Sequence, residues 1–155
     1  MMYQHEWNRI NHLQIGKYAE YLAKMEFVIR GFDVYASEVD DRGIDFILRL
    51  NPNLYIDVQV KSVRSFNYVF FPKHTFQLRD NLLAVLAIMM QGQPVELYLI
   101  PALTWLNPNA LFVSHDYENK QSAPEWGINL SRKNLPLLAP FAFDLMMPKV
   151  FPPIG

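Results

Sequence analysis

The sequence predicts an α/β fold: a mixed central β-sheet flanked by helices. Two observations predict it. An amphipathic helical stretch near the start carries Ile15, Tyr18, Ala19, Leu22 and Ala23 at helical spacing. It is followed by short apolar runs, several alternating with period two and each bounded by a turn signal. Strands packed between helical segments are the pattern of a layered α/β domain.

In order along the chain, residues 14–30 read as a helix that Gly31 stops. Residues 32–36 read as a short strand and 37–42 as a turn. Residues 43–50 form the next strand, closed by the turn signal Asn51-Pro52-Asn53, and 54–64 form its hairpin partner. A fourth strand covers 68–71 and stops at Pro72, and 76–78 add a fragment. The apolar run 82–90 reads as a buried helix reaching about residue 91, with Asp80 or Asn81 as its cap and Gly92 as its end. Residues 95–100 make a strand ended by Pro101. Residues 102–125 look loop-rich, with a turn at 102–105 and a strand at 111–113. A late strand at 126–130 and one or two helical turns at 131–138 follow, and the tail past Pro148 is ordered only where it docks.

The 155 residues suit one domain, with a core at about 14–100 and an irregular extension over 101–155. No window approaches the ~18–20 apolar residues of a membrane span, and the polar start, which carries Glu6, lacks the order of a signal peptide. Cysteine is absent, which excludes disulfides and thiolate metal sites and makes a cytoplasmic location the expectation. A net charge of −1 means that any nucleic-acid surface is a local patch.

The chemistry-bearing residues are Asp45 in Gly43-Ile44-Asp45 and, fourteen residues later, Gln59-Val60-Lys61. In the second of these strands Ile56, Val58 and Val60 point one way, and Asp57, Gln59 and Lys61 the other. Asp45 interrupts the apolar residues Ile44, Phe46, Ile47 and Leu48. Polar groups over the middle of a sheet are costly unless they satisfy one another, bind a metal or do chemistry. Asp45, the Gln59 amide oxygen and the Val60 carbonyl are hard oxygen donors suited to Mg²⁺ or Mn²⁺. Lys61 is an amine on the Gln59 face, placed to offset charge developing on a phosphate.

At these residues the sequence resembles the PD-(D/E)XK nuclease superfamily, in its restriction-endonuclease-like and Holliday-junction-resolvase-like branches. Gly43-Ile44-Asp45-Phe46 matches the first acid and Gln59-Val60-Lys61-Ser62 the second motif. Gly16-Lys17-Tyr18-Ala19-Glu20 matches the N-terminal helix, and with Gly31-Phe32-Asp33-Val34 the match spans about residues 14–64. The resemblance implies a restriction-endonuclease-like core and a Mg²⁺- or Mn²⁺-dependent nuclease acting on nucleic acid, DNA in the first place. It implies Asp45 as the metal-binding acid, Gln59 as the second motif position, Lys61 as the catalytic lysine and Glu20 as a helix-borne acid on a metal or water. Gln59 departs from the commoner acid and removes one charge from the metal set. A degenerate member that binds nucleic acid or protein without cutting is the alternative. A homodimer is a further implication, with the apolar segment 135–147 as its surface.

Plainer readings stand beside these. Asp45 can close a hairpin on a solvated face, and Gln59 and Lys61 can guard an edge strand. Glu20 precedes Lys24 by four residues, an ordinary helix-surface pair, although Gly16 on the same face leaves room for an approach. Asp57 reads as solvent-facing or as an outer acid, and Asp40 and Asp41 as turn residues. Ser62, Arg64, Lys73 and His74 can line a phosphate track or simply be solvated. His5, His12, His74 and His115 form no ligand set. Phe66, Tyr68, Phe70, Phe71 and Phe76 fit strand packing better than base stacking, and Met89-Met90 fits a core.

Overall fold

The structure is a computed structural model and describes residues 5–36 and 43–151. α1 (His12–Ile29) starts at Asn11, whose side chain accepts from the Gln14 amide while the Gln14 side chain accepts from the Asn11 amide, each at 2.9 Å. This reciprocal pairing satisfies two orphan donors of the first turn. Gly31, at φ 93°, turns the chain out of the helix in a conformation that costs glycine little. Ile15, Ala19, Ala23 and Phe27, four residues apart, form the buried stripe of α1.

The strands are β1 (Asp33–Ala36), β2 (Phe46–Asn51), β3 (Leu54–Val63), β4 (Tyr68–Pro72), β5 (Leu82–Ile88), β6 (Glu96–Pro101), β7 (Phe112–His115) and β8 (Glu125–Asn129). Five of them form a mixed sheet in the order β1-β2-β3-β5-β6, in which only β3 and β5 run parallel. A second, antiparallel sheet has the order β4-β8-β7. α2 (Leu135–Leu138) and α3 (Phe143–Val150) close the chain. This is the mixed central sheet flanked by helices that the sequence predicts.

The core has two layers with the main sheet between them. Alternation along β5 sends Leu82, Ala84, Leu86 and Ile88 toward the second sheet, where they meet Phe71, Phe76, Trp105, Phe112 and Ile128. It sends Leu83 and Val85 to the other face, against Ala23 and Phe27 of α1 and Phe143 and Met146 of α3. Each large aliphatic, methionine or phenylalanine side chain among them contributes roughly 1.5–3 kcal/mol of burial.

Several expectations are corrected. Residues 82–88 are the strand β5 and not a helix, because β3 and β6 flank them and both faces are covered. Asn81 caps nothing helical; its carbonyl accepts from the Asp57 amide at 2.9 Å as the parallel ladder begins. Residues 76–78 are not a strand: Phe76 folds back on the turn after β4 and its ring is fully buried. β2 begins at Phe46, so Asp45 stands at the entrance of the strand and not within it. The expected turn and strand in the loop-rich stretch are present, as a 3-10 turn (Ala102–Leu106) and β7. Past Pro148 the chain completes α3 and docks as far as Phe151, whose ring lies 4.6 Å from that of Phe32. Within the segment expected as a dimer surface, Leu138, Phe143, Met146 and Met147 face their own core, while Leu137 and Leu145 stay exposed. Further exposed apolar side chains lie on α1, among them Tyr21, Met25, Val28 and Ile29. The expected turn at 37–42 lies outside the described residues. Among the described residues no helix is long and apolar enough to cross a membrane.

Candidate active site

β3 carries the site because it is the hinge of the sheet, antiparallel to β2 on one side and parallel to β5 on the other. Ile56 and Val58 pack under α1, with Val60 partly buried beside them. Gln59 and Lys61 therefore occupy the opposite face. Their partners in register are Ala84 and Leu86, which belong to the core between the sheets. The Lys61 Nζ stands 5.7 Å from the centre of the Phe71 ring on β4, a cation–π contact that steadies the amine.

Asp45 is fixed by two bonds to β3. Its amide donates to the Val58 carbonyl at 2.9 Å, and its Oδ2 accepts from the Val60 amide at 2.6 Å. Where the backbone ladder between β2 and β3 runs out, the carboxylate continues it, in the short geometry of a charge-assisted bond. Val60 lies between Gln59 and Lys61, so the acid is seated beside both motif residues. The N–H and C=O of one strand residue point to the same side, which turns the Val60 carbonyl toward Asp45 as well.

Gln59 is only 7% exposed, and its buried Oε1 has no hydrogen-bond partner among the described residues. Gly43, at φ +70°, passes directly over it: a Cβ there would stand 3.0 Å from Thr75 Cβ and 3.5 Å from Gln59 Oε1. The position needs glycine both for its left-handed backbone and for the close approach. An orphaned buried acceptor costs about 1–3 kcal/mol and marks a place that a cation or donor would fill. Among the described residues no three His, Cys, Asp or Glu side chains gather as a metal set. The donors that do fit a hard cation are the Asp45 carboxylate, the Gln59 amide oxygen and the Val60 carbonyl, one charge in all.

Glu20 is engaged on its own helix. Its carboxylate pairs with Lys24 at 3.0 Å and with Lys17 at 3.7 Å on its own helix. Lys24 Nζ lies 5.8 Å from the Phe46 ring, so the pair sits over the start of β2, on the α1 side of the sheet. Nothing packs within 4 Å of where a Cβ at Gly16 would be. Asp57 is taken up by Arg79 at 2.6 Å. Ser62 and Arg64 line a groove with Lys61, whereas Lys73 is held by Ser114 and Asp116, both at 2.6 Å, over the Trp126 ring. His74 is exposed, and Asp40 and Asp41 lie outside the described residues.

Sequence reasoning misses Thr75, whose contact with Gly43 is non-local, and assigns the aromatic residues of β4 to strand packing without telling the outer face from the inner. In Tyr68-Val69-Phe70-Phe71 the alternation buries Val69 and Phe71 and leaves Tyr68 39% and Phe70 47% exposed. The polar tyrosine was the available signal for which face is outside. Tyr68 donates its hydroxyl to buried Glu125 in a short bond. Burial, and then this bond, push the Tyr68 hydroxyl well above the usual tyrosine range.

No family model matches the chain, and no curated protein matches it. Solved structures do. A Holliday junction resolvase, Hjc of the archaeal hyperthermophile Archaeoglobus fulgidus, is similar at 14% identity and a TM-score of 0.48, over 79% of this chain and 88% of that one. A bacterial homing endonuclease is similar at 17% identity and a TM-score of 0.49, over 78% of this chain and 77% of that one. Neither likeness bears on which residues act, and the reading of the site rests on its own geometry.

Proposed function

We propose that this chain is a metal-dependent nuclease that hydrolyses DNA phosphodiester bonds. What carries the reading is the seat of Asp45: a carboxylate bonded at 2.6 Å to the amide of Val60, the residue between Gln59 and Lys61, beside an orphaned amide oxygen. Asp45, Gln59 Oε1 and the Val60 carbonyl would hold a Mg²⁺ or Mn²⁺ ion. When bound, such an ion neutralises charge on the phosphate and lowers the pKa of water. Lys61, its amine steadied over Phe71, meets the negative charge that develops on the phosphate in the transition state. Ser62 and Arg64 are placed to take neighbouring phosphates. Glu20, paired with Lys17 and Lys24 on α1, would contribute to the metal directly or through water.

One observation favours a second reading, a member of the fold that binds without cutting. Gln59 is covered by Gly43, and with only one carboxylate the metal set is weak. Cleavage separates the two. The nuclease reading expects Mn²⁺- or Mg²⁺-dependent cutting of plasmid or branched DNA, with at least a hundredfold loss in Lys61→Ala and in Asp45→Ala, on the order of one removed electrostatic donor. Cutting that survives both substitutions overturns the mechanism. Retention of labelled DNA on a gel with no cutting in either metal supports the second reading.

A further inference from the structure

The groove that carries Lys61 does not end at the candidate active site. It runs between the end of β3 and β4, has a volume of about 350 Å³, and is lined by Lys61, Ser62, Arg64, Asn67, Tyr68 and Phe70 together with two valines. Two cations line it and no acid does. The Arg64 guanidinium is oriented by neutral acceptors, the carbonyls of Ile10 at 3.0 Å and Trp7 at 3.4 Å, and makes no ion pair among the described residues.

The groove opens onto exposed rings. Tyr68 and Phe70, two residues apart on the outer face of β4, have ring centres 6.3 Å apart and planes inclined by 20°. Across the second sheet His115 and Tyr117 make a like pair, 5.4 Å apart at 21°. Tyr68 has a structural reason to be there: its hydroxyl end lies where a Cβ at Gly127 would stand, and it is bonded to Glu125. Phe70 has no such reason. It faces Gly127 in register, is 47% exposed, and its ring partner is Tyr68.

We propose that this groove and the outer face of β4 bind single-stranded nucleic acid, with the backbone along Lys61, Ser62 and Arg64 and bases stacked on Phe70 and Tyr68. This rests on the nuclease reading of the same site and names its substrate class. A cationic track beside aromatic rings is how unpaired strands are held without regard to sequence. A ring stacks only on a base whose face is bare, and in a duplex those faces are taken by neighbouring bases.

The test is binding in EDTA, so that it does not depend on cutting. A fluorescent oligothymidylate of about 15 nucleotides, near the upper site size of a single-strand-binding module, is titrated with the full chain and followed by anisotropy. A duplex of the same length is the competitor. The expected result is tighter binding of the single strand, weakened about tenfold in Phe70→Ala and kept in Phe70→Trp, which retains a stacking ring. Equal or tighter binding of the duplex overturns the inference, as does an unchanged affinity in Phe70→Ala, even where metal-dependent cutting of duplex DNA is found. Single-strand binding that depends on the ring upholds it even where the chain cuts nothing, so the two readings fail separately.

Discussion

At position 59 an amide stands where a second carboxylate would double the charge offered to a metal, and its surroundings say what the exchange would do. The side chain is buried beneath Gly43, and its Oε1 has no partner among the described residues. In Gln59→Glu an ionised carboxylate would occupy the same dry spot. Without metal it lowers stability by about 2 kcal/mol or more, or takes up a proton to avoid the cost. With Mn²⁺ it is neutralised where it stands. The variant is therefore expected to melt below the wild type in EDTA and to gain more than the wild type on adding Mn²⁺; equal metal shifts in the two proteins would remove Gln59 from the metal set. Much of this site was legible in the sequence. Alternation alone put Gln59 and Lys61 on one face, and the break in the apolar run singled out Asp45. What period and spacing do not carry is the bond that the Asp45 carboxylate accepts from a backbone amide fifteen residues on, or a threonine brought against Gly43 by a turn.

Elements were read correctly where local pattern and tertiary setting agree. α1 and the β2–β3 hairpin are local and announce themselves. β5 misleads because Leu82-Leu83-Ala84-Val85-Leu86-Ala87-Ile88 is rich in helix-forming leucine and alanine, while strand pairing on both edges decides its fate. α3 was hidden by Pro148, which lies near its last turn. The strand β6 carries a pH dependence of its own. Tyr98 donates to Glu96 at 2.8 Å, and burial, followed by that bond, pushes its hydroxyl up to about 12. In the unfolded chain the same hydroxyl ionises near 10. Between those values the unfolded state has lost a proton that the folded state keeps, so the stability this group contributes is intact below about 10 and falls as pH rises toward about 12. Tyr68 acts in the same direction. Urea unfolding of Tyr98→Phe should thus lose less stability across that alkaline window than the wild type does, with a residual slope from Tyr68; parallel curves would show that Tyr98 does not titrate in this way.

For the molecule as a whole, the order of the strands decides what the C-terminal third is for. β4 leaves the main sheet and pairs with β8, so the face of β5 that carries Ala84 and Leu86 is covered by strands from both ends of the chain. Residues 14–100 supply one wall of it and, through Val69, Phe71 and Phe76, part of the other. Trp105, Leu111, Phe112, Ile128, Leu130 and Leu138 complete that second wall, and the Trp105 indole ties it down by donating to the Gly127 carbonyl at 2.9 Å. At roughly 1.5–3 kcal/mol for each large apolar side chain, losing that wall removes as much as the ~5–15 kcal/mol by which a typical domain is stable. Phe71, the ring beneath Lys61, belongs to this same core, so the amine of the candidate site rests on residues far beyond the motif. A chain ending at Pro101 is expected to show no cooperative thermal transition, to bind a hydrophobic dye, and to have no DNA activity even though Asp45, Gln59 and Lys61 are all present. A sharp melt in that truncated chain would mean that the first hundred residues close a core by themselves, and that the second sheet is an addition to the site rather than its foundation.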